Sequence, residues 1–234
     1  MSGNDKSIAA KIMDNYINIL SRNLLFKDMS ESEIETALSY LKPKITHFEK
    51  GSYITLAESE IREFYILLEG RVQVVYEDAL GRRALMAQYT AGDTMLEIFA
   101  VNLKSNPFAT TAVKNTVLAS IQFDNMLKLA AYCEIIKSKI SGNLYVLASK
   151  KKVMLYSHLI HASRPNIREK LISFLQAQKE KTGKSDFIIP FNKKELAEYL
   201  FINRQAMMKE LAAMKKEKII DFKGLHFILK TENP

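Results

Sequence analysis

The 234-residue chain is 47% apolar and 26% charged, proportions of an ordinary globular protein that exclude a disordered, collagen-like or fibrous one. Its single cysteine, Cys133, excludes an internal disulfide, a four-thiolate zinc centre and a cysteine-held iron–sulfur cluster, and fits a reducing compartment. Residues 1–163 carry 19 basic and 17 acidic side chains and residues 164–234 carry 15 and 9, so most of the net charge of +8 lies in the last third, the asymmetry of a segment that meets a polyanion.

Nothing from Met1 to Phe26 has the pattern of an export signal, and no run approaches ~18 uninterrupted apolar residues. A cytoplasmic protein with no membrane contact is expected. Ile8, Ile12, Tyr16, Ile19 and Leu20 have the spacing of an amphipathic helix, and Ser30 with Glu33 forms the capping box of a second one.

From Ile45 to Phe123 short β-type runs alternate with turn signals. Tyr53-Ile54-Thr55, Phe64-Tyr65-Ile66-Leu67-Leu68 and Arg71-Val72-Gln73-Val74-Val75-Tyr76 are separated by Lys50-Gly51, Glu69-Gly70, Asp78-Ala79-Leu80-Gly81 and Ala91-Gly92-Asp93. This rhythm predicts a compact barrel or sandwich. Beyond Phe123 the pattern is helical to about Ile160, interrupted by Gly142, with Ile136, Ile140, Leu144, Leu147, Lys151, Met154 and His158 along one face. A helix of this length packs on its own barrel, pairs with a second copy, or does both. Lys150-Lys151-Lys152 reads as a solvated stretch of it, and Cys133 as a small packed residue upon it.

Pro165 disfavours helix at Arg164 and marks a boundary. The expected organisation is a sensor domain over 1–123, a long helix and hinge over 124–163, and a third domain over 164–234. That last domain begins with a helix over Asn166–Gln178 and a strand over Phe187-Ile188-Ile189-Pro190. Asn192 then caps a helix with Leu196, Ala197 and Leu200 on one side, Phe201-Ile202-Asn203 makes a tight turn, and Arg204–Lys215 forms a second helix. Two short helices joined in this way form a helix-turn-helix, with Ile202, Met207 and Leu211 closing the core between them. Ile219–Leu229 adds a hairpin about Lys223-Gly224, the wing.

The residues not needed for packing suit DNA. Arg204 offers a fork to guanine, Gln205 the same to adenine, and Lys209 reaches guanine or phosphate. Asn203, Lys193 and Lys194 are further expected DNA contacts, with Lys223 or His226 of the wing near phosphate. No Ser/His/Asp grouping, no His-x-x-His metal spacing and no phosphate-cradling glycine loop is read, so an enzyme is not expected.

The order of parts resembles the family of the cyclic-AMP receptor protein and FNR, from about Leu25 to Leu229. The landmarks are Asn23-Leu24-Leu25-Phe26, Lys50-Gly51, Phe64-Tyr65-Ile66-Leu67-Leu68-Glu69-Gly70, Gly92-Asp93, Glu97 and Asn203-Arg204-Gln205. The resemblance implies an α+β fold: an N-terminal β-roll of the cyclic-nucleotide-binding jelly-roll type, a long dimerisation helix, and a C-terminal winged helix-turn-helix. It also implies a homodimeric transcription regulator on a palindromic operator in double-stranded DNA, with RNA polymerase as the further partner of an activator. The alternative is a ligand-binding or structural β-roll protein that does not touch DNA.

The effector is where the chain departs from that family. In its cyclic-nucleotide binders a Gly-Glu pair is followed by Arg-Ser-Ala, the Arg neutralising the phosphate and the Glu holding the ribose. Here Leu96-Glu97 and Pro107-Phe108-Ala109 stand at those places. A buried phosphate without its arginine is an unpaired anion, so cyclic AMP does not fit. The helix hydroxyls that meet the base are replaced by Val153 and Met154. Haem lacks a ligand set, since His47 is the only histidine of the β-rich stretch, and an FNR-type cluster lacks its cysteines. No cofactor is expected. An unidentified small-molecule effector is, with Glu97, Phe108, Val153 and Met154 as its candidate contacts.

Overall fold

The computed structural model describes residues 15–97, 100 and 105–230. They form two contact units, one within residues 1–82 and 86–151, the other within 83–85 and 152–234. Ile8 and Ile12 of the first expected helix lie outside the described residues; residues 15–20 are helical.

The first unit opens with that helical segment and a 3-10 turn at Leu24–Phe26, fixed by Asn23. The Asn23 side chain is buried, accepts from Leu25 N at 2.8 Å, and donates to Gly92 O at 2.8 Å and Thr94 Oγ1 at 3.1 Å. One amide thus ties the entry segment to the β-roll. Helix α1 (Glu31–Leu41) starts at the predicted capping box, Ser30 and Glu33 each serving the other's main-chain N–H. Lys139 donates to both Glu33 oxygens, at 2.7 and 2.8 Å, and with the cap bonds holds that carboxyl below its ordinary range.

The β-roll follows as β1 (Lys44–Phe48), β2 (Tyr53–Thr55), β3 (Ser59–Glu60), β4 (Glu63–Glu69), β5 (Arg71–Glu77), β6 (Arg83–Thr90), β7 (Thr94–Met95), β8 (Ser105–Asn106), β9 (Ala109–Ala112) and β10 (Thr116–Gln122). Two four-stranded sheets run β1-β10-β4-β7 and β2-β9-β5-β6, with β3 paired to β8. The central pair, β10 and β4, is antiparallel in a register that sets Ala119 against Ile66. Both strands are buried on both faces, which is why Phe64-Tyr65-Ile66-Leu67-Leu68 has no polar alternation. The core joins Phe64, Ile66 and Leu118 to Leu25, Ile34 and Leu38 of the N-terminal elements and to Ile136 and Ile140 further on.

Helix α2 (Phe123–Tyr132) ends at Cys133, whose extended backbone separates it from the long helix α3 (Glu134–Ala162). One helix was expected across this stretch with Cys133 upon it; Cys133 is instead the break between two. Along α3 the predicted inward face is observed at Ile136, Ile140, Leu147 and His158, all buried, while Met154 departs from it at 65% exposed. The opposite side carries a second apolar row, Val146, Val153, Tyr156 and Ile160, all exposed. Val153 belongs to this outer row.

In the second unit α4 (Ile167–Thr182) is capped by the Asn166 side chain and closed by Gly183 in the left-handed region at φ 67°. Then come β11 (Asp186–Ile188), α5 (Lys193–Tyr199), α6 (Arg204–Lys216), β12 (Ile220–Lys223) and β13 (His226–Leu229), the strands ordered β11-β13-β12. Leu171, Phe174 and Leu175 of α4 are buried, as are Leu196 and Ala197 of α5 and Met207, Leu211 and Met214 of α6. This is a helix-turn-helix with a two-stranded wing.

Candidate nucleic-acid interface and effector site

Asn192 caps α5 by accepting from Lys194 N at 2.9 Å and Glu195 N at 3.0 Å, and Glu195 returns a bond from Asn192 N at 2.8 Å. The turn after α5 holds Phe201 at φ 53°, and Ile202 N donates back to Ala197 O at 3.0 Å. Asn203 begins α6 as its N-cap, its carboxamide oxygen accepting from Gln205 N at 2.9 Å and Ala206 N at 3.1 Å. Expected among the DNA contacts, Asn203 works first as the group that starts and aims the helix.

With Met207, Leu211 and Met214 turned inward, Arg204, Gln205, Met208 and Lys209 are left on the outer face of the first turns. The C-terminal end of α6 is anchored by Arg168 of α4. Its Nε donates to Glu210 at 2.5 Å, and its two Nη groups donate to the two Glu217 oxygens at 2.7 and 2.8 Å. This bidentate grip holds the Glu217 carboxyl below its ordinary range and keeps the helix at a fixed angle to α4.

The wing places Lys223 at its tip, exposed beside Gly224 at φ 63°. Two predicted phosphate contacts, Lys193 and His226, are placed differently. Lys193 is turned inward: its Nζ is buried without a hydrogen-bond partner, 3.9 Å from the Phe227 ring centre and 4.5 Å from that of Phe222. Burial pushes its amine down to about 8, while the two ring faces favour the charged form. It therefore fastens α5 to the wing. Lys215 grips the other end, donating to Phe222 O at 3.3 Å and pairing with Asp221 at 2.6 Å. His226 pairs with Asp186 on the neighbouring β11. Lys194 is exposed and 3.7 Å from Glu198, a weak surface pair.

The second candidate site lies in the β-roll. Glu97 is 5% exposed, and its Oε2 accepts from Lys151 Nζ at 2.6 Å. Lys151 also donates to Thr94 O at 2.6 Å and stands 5.0 Å from the Tyr89 ring centre. Burial lowers the Lys151 amine and Glu97 partly restores it, while burial and the Glu97 charge raise the Tyr89 phenol. The other Glu97 oxygen is buried with no hydrogen-bond partner among the described residues. Leu96, at the place of the resembled family's glycine, holds φ 64°, a left-handed conformation that glycine adopts more readily than leucine.

Of the four candidate effector contacts, Glu97 is at a buried polar site and its partner is Lys151, not Val153 or Met154, which are 63% and 65% exposed. Phe108 is partly buried and clasped through its main chain, its N donating to Asn106 Oδ1 at 3.2 Å and its O accepting from Asn106 Nδ2 at 2.7 Å. Lys150 and Lys152 are solvated as expected, and Lys151 is not. The signal for it was present: Lys151 falls on the buried side of the helical repeat, where a charge needs a counter-charge.

Contrary to the reading of no His-x-x-His spacing, His158 and His161 have it, but each ring is engaged elsewhere. His158 Nε2 lies 2.6 Å from Tyr199 O and His161 Nδ1 2.8 Å from Ser173 Oγ. Among the described residues no three His, Cys, Asp or Glu side chains stand together as a metal set, and no helix is long and apolar enough to cross a membrane.

The sequence matches the cyclic nucleotide-binding domain family over residues 45–133. No curated protein matches it significantly. Solved structures do. The c-di-GMP-responsive global regulator CLP of Xanthomonas campestris is similar at 12% identity and a TM-score of 0.69, over 86% of this chain and 100% of that one. A CooA mutant from Carboxydothermus hydrogenoformans is similar at 16% and 0.67, over 89% and 92%. A CRP-family transcriptional regulator from Thermus thermophilus is similar at 19% and 0.56, over 79% and 91%. Residues 45–133 are thus a cyclic-nucleotide-binding-type domain, and the chain has the β-roll, long-helix and winged-helix fold of the CRP/FNR regulators.

Proposed function

We propose that the protein is a homodimeric, sequence-specific DNA-binding transcription regulator, with residues 1–123 as sensor, 124–163 as coupling helix and hinge, and 164–234 as reader. The observation that carries this reading is the outward set Arg204, Gln205 and Lys209 on the first turns of a helix whose other side is fully used in packing. A helix so presented lays its N-terminal side chains in the major groove, and Lys223 on the wing reaches the flanking phosphates. Arg204→Ala is expected to cost about 1–3 kcal/mol on the preferred duplex and to relax its sequence preference. Lys223→Ala weakens all sequences alike and lowers the slope of log K against log salt by about one. Equal losses on preferred and random duplexes for Arg204→Ala would refute the assignment.

The partner copy is inferred from α3. A helix apolar on two sides buries one in its own chain, and the outer row of Val146, Val153, Tyr156 and Ile160, at steps of three to seven residues, remains for a second α3 in two-fold pairing. Val153→Glu sets two carboxylates into that seam and is expected to weaken the dimer by at least about 2 kcal/mol. Light scattering with chromatography then reads the single-chain mass where the parent gives twice it; an unchanged mass would place the interface elsewhere.

For the effector, the pairing of Glu97 with Lys151 supports a site already neutralised from within, which disfavours a cyclic nucleotide for the reason Pro107-Phe108-Ala109 does. A small molecule acts here by favouring one disposition of sensor and reader over another.

A further inference from the structure

The two histidines at the end of α3 do something the DNA-binding surface does not use. Both are buried, at 4% and 6% exposure. The His158 ring lies flat on Tyr199, with centres 3.9 Å apart and planes 8° apart, and 5.1 Å from Phe201. Its Nε2 must donate to the Tyr199 carbonyl oxygen at 2.6 Å, which places the proton of the neutral ring on Nε2. His161 meets Ser173 Oγ through Nδ1 at 2.8 Å and stands edge-on to Phe174.

Tyr199 and Phe201 are the two sides of the helix-turn-helix turn. Phe201 holds a left-handed φ of 53°, a conformation a bulky L-residue keeps only when its surroundings hold it there. Through Ile202 the turn leads directly to Asn203, the cap that aims α6. Burial of the His158 ring outweighs the Tyr199 carbonyl, which favours the charged form; the charged groups that face the two rings repel a proton. On α3 each histidine faces the other; Arg164 follows in the loop; from α4, Lys170 reaches the same turn, its Nζ donating to Leu200 O at 3.3 Å. From α5 comes Tyr199, whose phenol burial pushes up to about 12, so that it stays neutral.

We propose that His158 and His161 form a proton-sensitive latch on the reader: neutral, they hold the Tyr199–Phe201 turn and so the aim of α6; protonated, they release it. Burial lowers both imidazoles below their ordinary value, and the charges of His158 and Arg164 lower His161 further. A base lowered on folding contributes stability that is complete above the unfolded value near 6.5 and is lost as pH falls from there to the folded value. Mild acidification thus loosens the turn, a regulation that rests on the DNA-binding reading only for its consequence.

The test uses the full chain. Ring-proton NMR titration is expected to give His158 and His161 midpoints below the ordinary imidazole value of about 6.5. Amide exchange over residues 199–206, corrected for intrinsic rates, is expected to quicken between about pH 7.5 and 5.5. Affinity for a selected duplex should fall about tenfold over the same interval. A His158→Phe/His161→Gln variant, which keeps the stack and a hydrogen-bonding side chain without the titration, should change by less than about twofold. Titration of both rings at or above about 6.5, or the same acid loss in the variant, would overturn the latch. If no duplex binds at any pH the DNA reading fails, and the ring titration and exchange still decide the latch.

Discussion

Lys151→Met is expected to lower the unfolding free energy by about 3–5 kcal/mol, because it strands the Glu97 carboxylate in a buried site. Both side chains of the pair are largely withdrawn from solvent, 16% and 6% exposed, so water does little to screen the loss. Glu97→Gln, which leaves Lys151 its Thr94 carbonyl, should cost less. The double variant Lys151→Met/Glu97→Leu is expected to recover most of the loss, since well-packed apolar groups replace a buried ion pair at little or no cost. Urea unfolding of the parent, Lys151→Met, Glu97→Leu and Lys151→Met/Glu97→Leu measures the cycle. A Lys151→Met loss below about 1 kcal/mol, the range of an exposed pair, would contradict the buried pairing.

Gly70→Ala carries the second large effect. Gly70 links β4 to β5 at φ 97°, and a Cβ there would lie 2.5 Å from Asn115 O and Thr116 Oγ1 and 2.8 Å from Thr116 Cα. Two of these atoms are main chain in or beside β10 and cannot swing aside. Backbone strain and overpacking together are expected to cost about 3–5 kcal/mol. Gly51→Ala is the control: at φ 92° with nothing within 4 Å of the new Cβ, it should cost only the left-handed penalty of about 1–2 kcal/mol. Equal midpoint shifts for the two substitutions in thermal unfolding would show that the close approach does not govern Gly70.

What could be read in advance was local. The capping boxes at Ser30/Glu33 and Asn192/Glu195 are each complete within four residues, and Gly51, Gly70, Gly81 and Gly92 punctuate the strands because each holds a positive φ. The inward row of α3 was legible by period. Its outer row was not, because a helix apolar on two sides gives the repeat no single direction. Lys151 was legible on the inward row but its partner was not, being 54 residues away, and the inward turn of Lys193 was not legible because its aromatic partners arrive only when the wing folds back. Asn203 was given to DNA, although its place before α6 equally fits a cap. The dependence of the helix-turn-helix turn on His158 was hidden for the same reason as the partner of Lys151: the contact spans 41 residues.

The central claim is a dimer that reads DNA through α6. The most direct measurement is selection of bound duplexes from a random pool at two salt concentrations, with sequencing of what is retained. A palindrome with half-site centres about ten base pairs apart is expected to be enriched, with retention that falls with salt. Unselective retention, or none at either salt concentration, would contradict the claim and favour a β-roll protein that works without DNA.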